Sequence, residues 1–191
     1  MIHAASYNGS ASRRPRLAVT LRRWLAVTLL TLVLGVAAGF GWIAVAPRPY
    51  LVMTGRGAAA VVNAETSAFV AADGWYCLIC LAGGVISGLA GYLIAVRGSR
   101  PAGMAVVLLS ALAAGLVTLW IGEHWGLAGY HHLLATLPAG AHLSASLSLG
   151  AGSAIAFWPL GAGIMAGGLE LSDVLRERRQ GSGNGSALAL H

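Results

Sequence analysis

Two cysteines, Cys77 and Cys80, stand in a C-x-x-C arrangement, and one carboxylate and four histidines, Glu123, His124, His131, His132 and His142, crowd into a single later stretch. The cysteine spacing is that of a thiol–disulfide couple. Near a helix N-terminus the positive end of the dipole stabilises a thiolate, which can exchange disulfides or pass electrons to a quinone. Membrane enzymes of that kind need a second cysteine pair to exchange with substrate, and this chain has only two cysteines. Two small apolar residues packed in a helix is the simpler reading, with Cys77 and Cys80 as redox groups the minor alternative. The acid and histidine stretch contains potential metal donors, but it holds no H-E-x-x-H pattern and no histidine four residues from another. Solvated histidines at a surface are therefore expected, with no metal and no cofactor. The chain also lacks a phosphate-binding glycine loop, a nucleophile elbow and a carboxylate pair, so a non-enzymatic role is expected.

The elements that must position these groups are apolar. Hydrophobic residues make up 57% of the chain and charged residues 9%, far from the quarter or so that is charged in soluble domains. Four stretches, 24–46, 75–96, 102–121 and 149–169, contain no Asp, Glu, Lys, Arg or His. A helix needs about 20 residues to cross a hydrocarbon layer near 30 Å thick, so each stretch is long enough alone. They lack the polar face a soluble bundle would require. The expected fold is all-α and integral to the membrane: a four-transmembrane-helix bundle over 18–173, with disordered tails at 1–17 and 174–191. Between the first two spans, β-branched and apolar residues mixed with turn formers over 47–74 suggest a short extracytoplasmic β-hairpin. The stretch 122–148 reads as an interfacial helix followed by loop. Arg97, Gly98, Ser99, Arg100 and Pro101 form a tight turn that makes spans two and three an antiparallel hairpin.

Charge sets the orientation. The chain carries a net charge of +6 and all twelve of its basic residues are arginines. With both termini cytoplasmic, Arg13, Arg14, Arg16, Arg22, Arg23, Arg97, Arg100, Arg176, Arg178 and Arg179 lie inside, and only Arg48 and Arg56 lie outside. Anionic lipid headgroups of the inner leaflet are the expected partners, each juxtamembrane base gaining about 1 kcal/mol there; nucleic acid is not. Trp42, Trp75, Trp120 and Trp125 map to the outer boundary and Trp24 to the inner one, as an aromatic belt would.

Helices in lipid associate through close backbone approach between small residues. Gly35 and Gly39, Gly84 and Gly88, Ala111 and Gly115, and Gly163 and Gly167 recur four residues apart, one pair per span, and are the expected contact seams. Pro159 is expected to kink the fourth span. Glu170 and Asp173, beside Arg176, read as pairing at the inner interface. The spans hold no ionisable group, which disfavours a charge-driven pump.

The run Trp42-Ile43-Ala44-Val45-Ala46-Pro47, the Ala72-Asp73-Gly74 that opens span two and the stretch LSASLSLGAGSAIAFWPLGAG into span four resemble the actinobacterial membrane proteins filed as domain of unknown function 2567. The similarity covers 25–170; the outer loop and the cysteine pair stand outside the pattern. It implies a four-span plasma-membrane protein of a high-GC actinobacterium, and no activity. The expected role is an accessory or scaffold subunit packing through its glycine seams against a larger envelope or respiratory complex, or a homodimer. The alternative is a small transporter or lipid-handling protein.

Overall fold

A computed structural model describes residues 13–55, 58–61, 67–97, 100–125 and 127–188. In chain order it contains α1 (Arg13–Val45), β1 (Tyr50–Gly55), β2 (Ala58–Val61), α2 (Ala68–Gly91) with a π-helical extension over Tyr92–Val96, α3 (Arg100–His124), α4 (Leu127–Thr136), β3 (His142–Ser144), and α5 (Phe157–Leu188), entered through a 3-10 turn at Gly152–Ala156. Among the described residues four helices are long and apolar enough to cross a membrane, in the stretches Leu17–Val45, Ala68–Val96, Pro101–Thr136 and Gly152–Gln180.

The partnerships differ from a simple sequence of hairpins. α1 packs most extensively on α3, and α2 on α5. Thr28 meets Ser110, Gly35 meets Ala114 and Gly39 meets Ile121, so α1 and α3 run parallel. By the same token Gly84 meets Trp158, Gly88 meets Ala162 and Tyr92 meets Asp173, which makes α2 and α5 parallel. The expected α2–α3 hairpin is antiparallel and closest near its turn, where Gly91 lies on Val107 and Gly103 on the backbone of Ala95. Beyond that end, the small-residue faces of both helices are turned toward other partners.

Five of the eight small residues expected at the seams lie at close approaches. A Cβ on Gly35 would stand 2.8 Å from the Ala114 carbonyl oxygen, and one on Gly39 2.9 Å from the Ile121 side chain. On Gly84 it would stand 2.3 Å from the Trp158 carbonyl oxygen, and on Gly88 2.6 Å from that of Ala162. Gly115 sits 3.3 Å from the Ile155 carbonyl by the same measure, and Ala111 is fully buried. α5 departs from expectation: Gly163 has only ordinary contact with Leu108, and Gly167 faces open space. Its seam is instead Gly161, Ala162 and Ala166, with a Cβ on Gly161 2.7 Å from the Leu81 carbonyl. The pair Gly163 and Gly167 has the right spacing on the wrong face, because Trp158 and Ala162 orient the helix toward α2.

Among the described residues, buried polar side chains of the long helices find partners within the bundle, with the Nε1 of Trp24 the exception. Thr118 donates to the Gly35 carbonyl at 2.9 Å, Tyr76 to that of Gly115 at 2.8 Å, and Trp158 Nε1 to Ser87 Oγ at 3.2 Å. Trp42 is a correction to the aromatic belt: it is fully buried, its Nε1 donates to the Ala72 carbonyl at 2.9 Å, and its ring meets Tyr76 edge-on. Gly122 leaves the space its ring occupies. Trp75, Trp120 and Trp125 are exposed, as belt residues are.

Beyond the ends of α1 and α3 the two long connections build a joint cap. The hairpin expected in 47–74 forms from β1 and β2, antiparallel, with Leu51 opposite Val61 and an irregularity between Met53 and Gly55. A third strand, unforeseen, comes from the other connection: β3 pairs antiparallel with β1, Leu51 opposite Leu143, giving the order β2-β1-β3. Gly140, at φ +85°, makes the turn that returns the chain to β1, and the Met53 backbone holds both the Gly140 N–H and the Ala141 carbonyl. Leu51, Leu143 and Ala145 form a second small core, closed by Tyr130 and Leu134 of α4, the helix expected in 122–148.

Several boundaries move, α2 starting at Ala68 rather than at 75. α1 already runs from Arg13, and α5 continues to Leu188, past position 173, because Val174 to Gln180 are mostly good helix formers with interleaved charge. Residues 1–12 and 189–191 of the expected tails lie outside the described residues. Pro159 does not kink a span: α5 starts at Phe157, so the proline occupies the first turn, where its missing N–H has no intrahelical acceptor to lose.

Candidate functional site

The cap and the bundle enclose a cavity of about 380 Å³. α3 ends there and delivers Glu123; the segment after α1 supplies Arg48; β3 supplies His142; α4 closes it with Tyr130 and Leu133, and Trp125 stands at its edge. Glu123 is held in place, since its Oε1 accepts the Leu149 N–H at 3.0 Å. Asp73, the other acid described at this end, accepts the N–H groups of Gly150 and Ala151 at 3.0 and 2.9 Å, tying the approach to α5 onto α2. Arg48 reaches the Ile43 carbonyl at 3.4 Å and makes no ion pair among the described residues. Its chemistry is that of an exposed guanidinium with donors to spare.

A second concavity, of about 430 Å³, lies on the flank of α3. Leu116, Val117, Leu119 and Trp120 make it almost wholly apolar, and Glu123 lines both it and the cap cavity. His124 stacks on Trp120 with the ring centroids 5.0 Å apart, and its Nδ1 lies 3.0 Å from the Trp120 carbonyl.

The five suspected metal donors are dispersed. Glu123 and His142 reach the cap cavity, His124 belongs to the flank of α3, and His131 and His132 sit exposed on α4, the first against Tyr130. Among the described residues no group of three or more Asp, Glu, His or Cys side chains could hold a metal ion.

Cys77 and Cys80 are free thiols, the first partly exposed and the second fully buried in the main core. The redox reading required a helix N-terminus beside them. α2 begins at Ala68, so Cys77 lies about two and a half turns inside, beyond the first turn over which the dipole acts. This removes the physical reason for a stabilised thiolate.

The opposite end of the bundle gathers charge. Parallel α1 and α3, with α2 and α5 running the other way, bring Arg22 and Arg23, Arg97, and Arg176, Arg178 and Arg179 to one end, together with the start of α3 at Arg100, whose side chain lies outside the described set. The sequence pairs Asp173 with Arg176; the structure gives it Tyr92, whose hydroxyl donates to Asp173 Oδ2, and Arg97 at 3.9 Å. Tyr92 opens the π-helical segment, whose extra residue per turn ends with the Arg97 N–H on the Tyr92 carbonyl. Glu170 and Glu177 line the same polar concavity.

Sequence reasoning missed Arg48 as a site residue. Its signal was present: it is one of two arginines on the side that the charge rule should leave empty. Comparison with family models, with curated proteins and with solved structures finds no match for this chain.

Proposed function

We propose that this chain is a multi-pass membrane protein with its arginine-rich end in the cytoplasm and its β-capped end outside. The observation that carries this reading is the inverted packing of the bundle. Large apolar side chains point outward along every long helix, among them Leu29, Val33, Ile86, Leu109, Leu116 and Ile164, while Gly, Ala, Ser and Thr, together with the buried Trp42, Tyr76 and Trp158, fill the interfaces. In each candidate span only 28–33% of the most apolar window is buried within the chain. Water would make such a surface an aggregation site far beyond the patches that monomers tolerate; lipid makes it neutral. The charge asymmetry between the two ends supports the orientation through the preference of arginine for the cytoplasmic side.

Within that location, the role we infer is non-enzymatic: an accessory subunit or a lipid-handling protein. The internal use of Gly35, Gly39, Gly84 and Gly88 weakens the scaffold reading, since those seams are occupied by the chain's own helices. The cap cavity next to an apolar groove favours the lipid-handling one. The resemblance to the actinobacterial proteins filed as domain of unknown function 2567 agrees with four spans and adds no activity. Membranes washed with alkaline carbonate, and reporter fusions at the C-terminus and at position 140, test the location. Retention in the membrane, a C-terminal reporter active only inside and a position-140 reporter active only outside are expected; release by carbonate overturns the reading. Mass spectrometry after gentle detergent extraction separates the roles: a reproducible large partner favours the accessory subunit, co-purified lipid the lipid-handling protein.

A further inference from the structure

We propose that the cap cavity and the groove on α3 are two halves of one site for a single glycerophospholipid of the outer leaflet, with its phosphate on Arg48 and His142 and an acyl chain against Leu116, Val117 and Leu119. This rests on the membrane reading above and adds the ligand class.

Three observations carry it. The first is charge. Asp73 holds two backbone N–H groups with its two oxygens and Glu123 holds one with Oε1, and Arg48 forms no ion pair with either, although Glu123 lines the same cavity. A guanidinium and an imidazole lining one cavity can receive a phosphate, which arginine can grip with two parallel hydrogen bonds. The second is polarity. Arg48, Glu123, His142 and Ser144 give the cavity, itself partly apolar, polar groups that are nearly missing from the groove, which is bounded mainly by aliphatic side chains and Trp120. The third is adjacency. Glu123 belongs to both walls, so the polar and apolar volumes meet at one residue, at the depth where Trp120 and Trp125 are exposed at the interface between headgroups and chains. A soluble phosphate compound would make no use of the groove, and an apolar molecule would make none of Arg48.

The test uses the full chain purified in a neutral detergent and titrated with dioleoylphosphatidylglycerol, bound lipids being counted by native mass spectrometry. One lipid is expected to bind ahead of the rest. Dioleoylglycerol, which lacks the phosphate, and glycerol 3-phosphate, which lacks the chains, should each bind at least about tenfold more weakly. Arg48→Gln should weaken the first lipid about tenfold and Leu116→Trp, which fills the groove, by a similar factor, with far-UV circular dichroism unchanged. Arg178→Gln, at the other end, should leave it unaltered. Equal binding of dioleoylglycerol, full-strength binding by Arg48→Gln, or equal weakening by Arg178→Gln overturns the site. A chain that resists carbonate extraction yet shows any of those results loses this proposal alone; one that carbonate releases loses the membrane reading as well.

Discussion

Adding one methyl group to Gly84 should do what adding it to Gly167 does not. The two glycines belong to equivalent small-residue pairs in the sequence, but a Cβ on Gly84 would stand 2.3 Å from the Trp158 carbonyl oxygen and 3.0 Å from the Ala162 nitrogen, while one on Gly167 meets nothing within 4 Å. Both obstacles at Gly84 are backbone, which no rotamer change can move, so α2 and α5 must separate by roughly 1 Å to restore ordinary contact. Overpacking of this kind costs about 1–3 kcal/mol, and an immovable backbone obstacle belongs at the upper end. Alanine's better helix propensity offsets up to about 1 kcal/mol at an open position. Gly84→Ala should therefore lose about 2 kcal/mol net, a shift of roughly 30-fold in the folding equilibrium, and Gly167→Ala should be neutral or slightly more stable. Unfolding of the detergent-solubilised protein by rising sodium dodecyl sulfate, followed by the fluorescence of the tryptophans, measures both. If Gly84→Ala unfolds with the wild type, or Gly167→Ala falls as far as Gly84→Ala, the assignment of the α2–α5 seam is refuted.

Other consequences follow from single contacts. Trp42→Phe keeps most of the buried ring but leaves the Ala72 carbonyl without its donor, so the same unfolding assay should read a loss of about 1–3 kcal/mol. Asp73→Ala removes the acceptor of two N–H groups, and limited proteolysis should then cut within 145–151 before the bundle opens. A maleimide applied to the folded protein should label Cys77 well before Cys80, with both labelled equally after unfolding; equal labelling in the folded state would contradict the burial of Cys80. Zinc or a chelator should leave the melting temperature unchanged, because Glu123, His124, His131, His132 and His142 do not converge.

What could be read from the residues was whatever depends on the solvent around them. The four apolar stretches follow from composition and length, and the hairpin of β1 and β2 from β-branched and apolar residues mixed with turn formers. What could not be read depends on which face a helix presents. Spacing of four says that Gly163 and Gly167 share a face, but Trp158 and Ala162 decide that a neighbouring face is buried. Trp42 looks like an interface residue because tryptophans near span ends usually are; it is buried because Gly122, on another helix, leaves room for its ring. The cap cavity was illegible for a related reason: Arg48, Glu123 and His142 come from three separated segments, drawn together by the packing of α1 on α3 and the pairing of β3 with β1.

That pairing also constrains how the protein is made. β1 emerges long before β3, and the chain between them includes three complete helices, α2, α3 and α4, so one edge of the hairpin must stay bare while they are made. An unpaired strand edge invites the wrong companion, including the same strand of a second nascent copy. If the chain is inserted into the bilayer as it is translated, a pause that delays delivery of residues 142–144 should raise the yield of exchanged dimers joined through β1, whereas a pause that comes after β3 has paired with β1 should not.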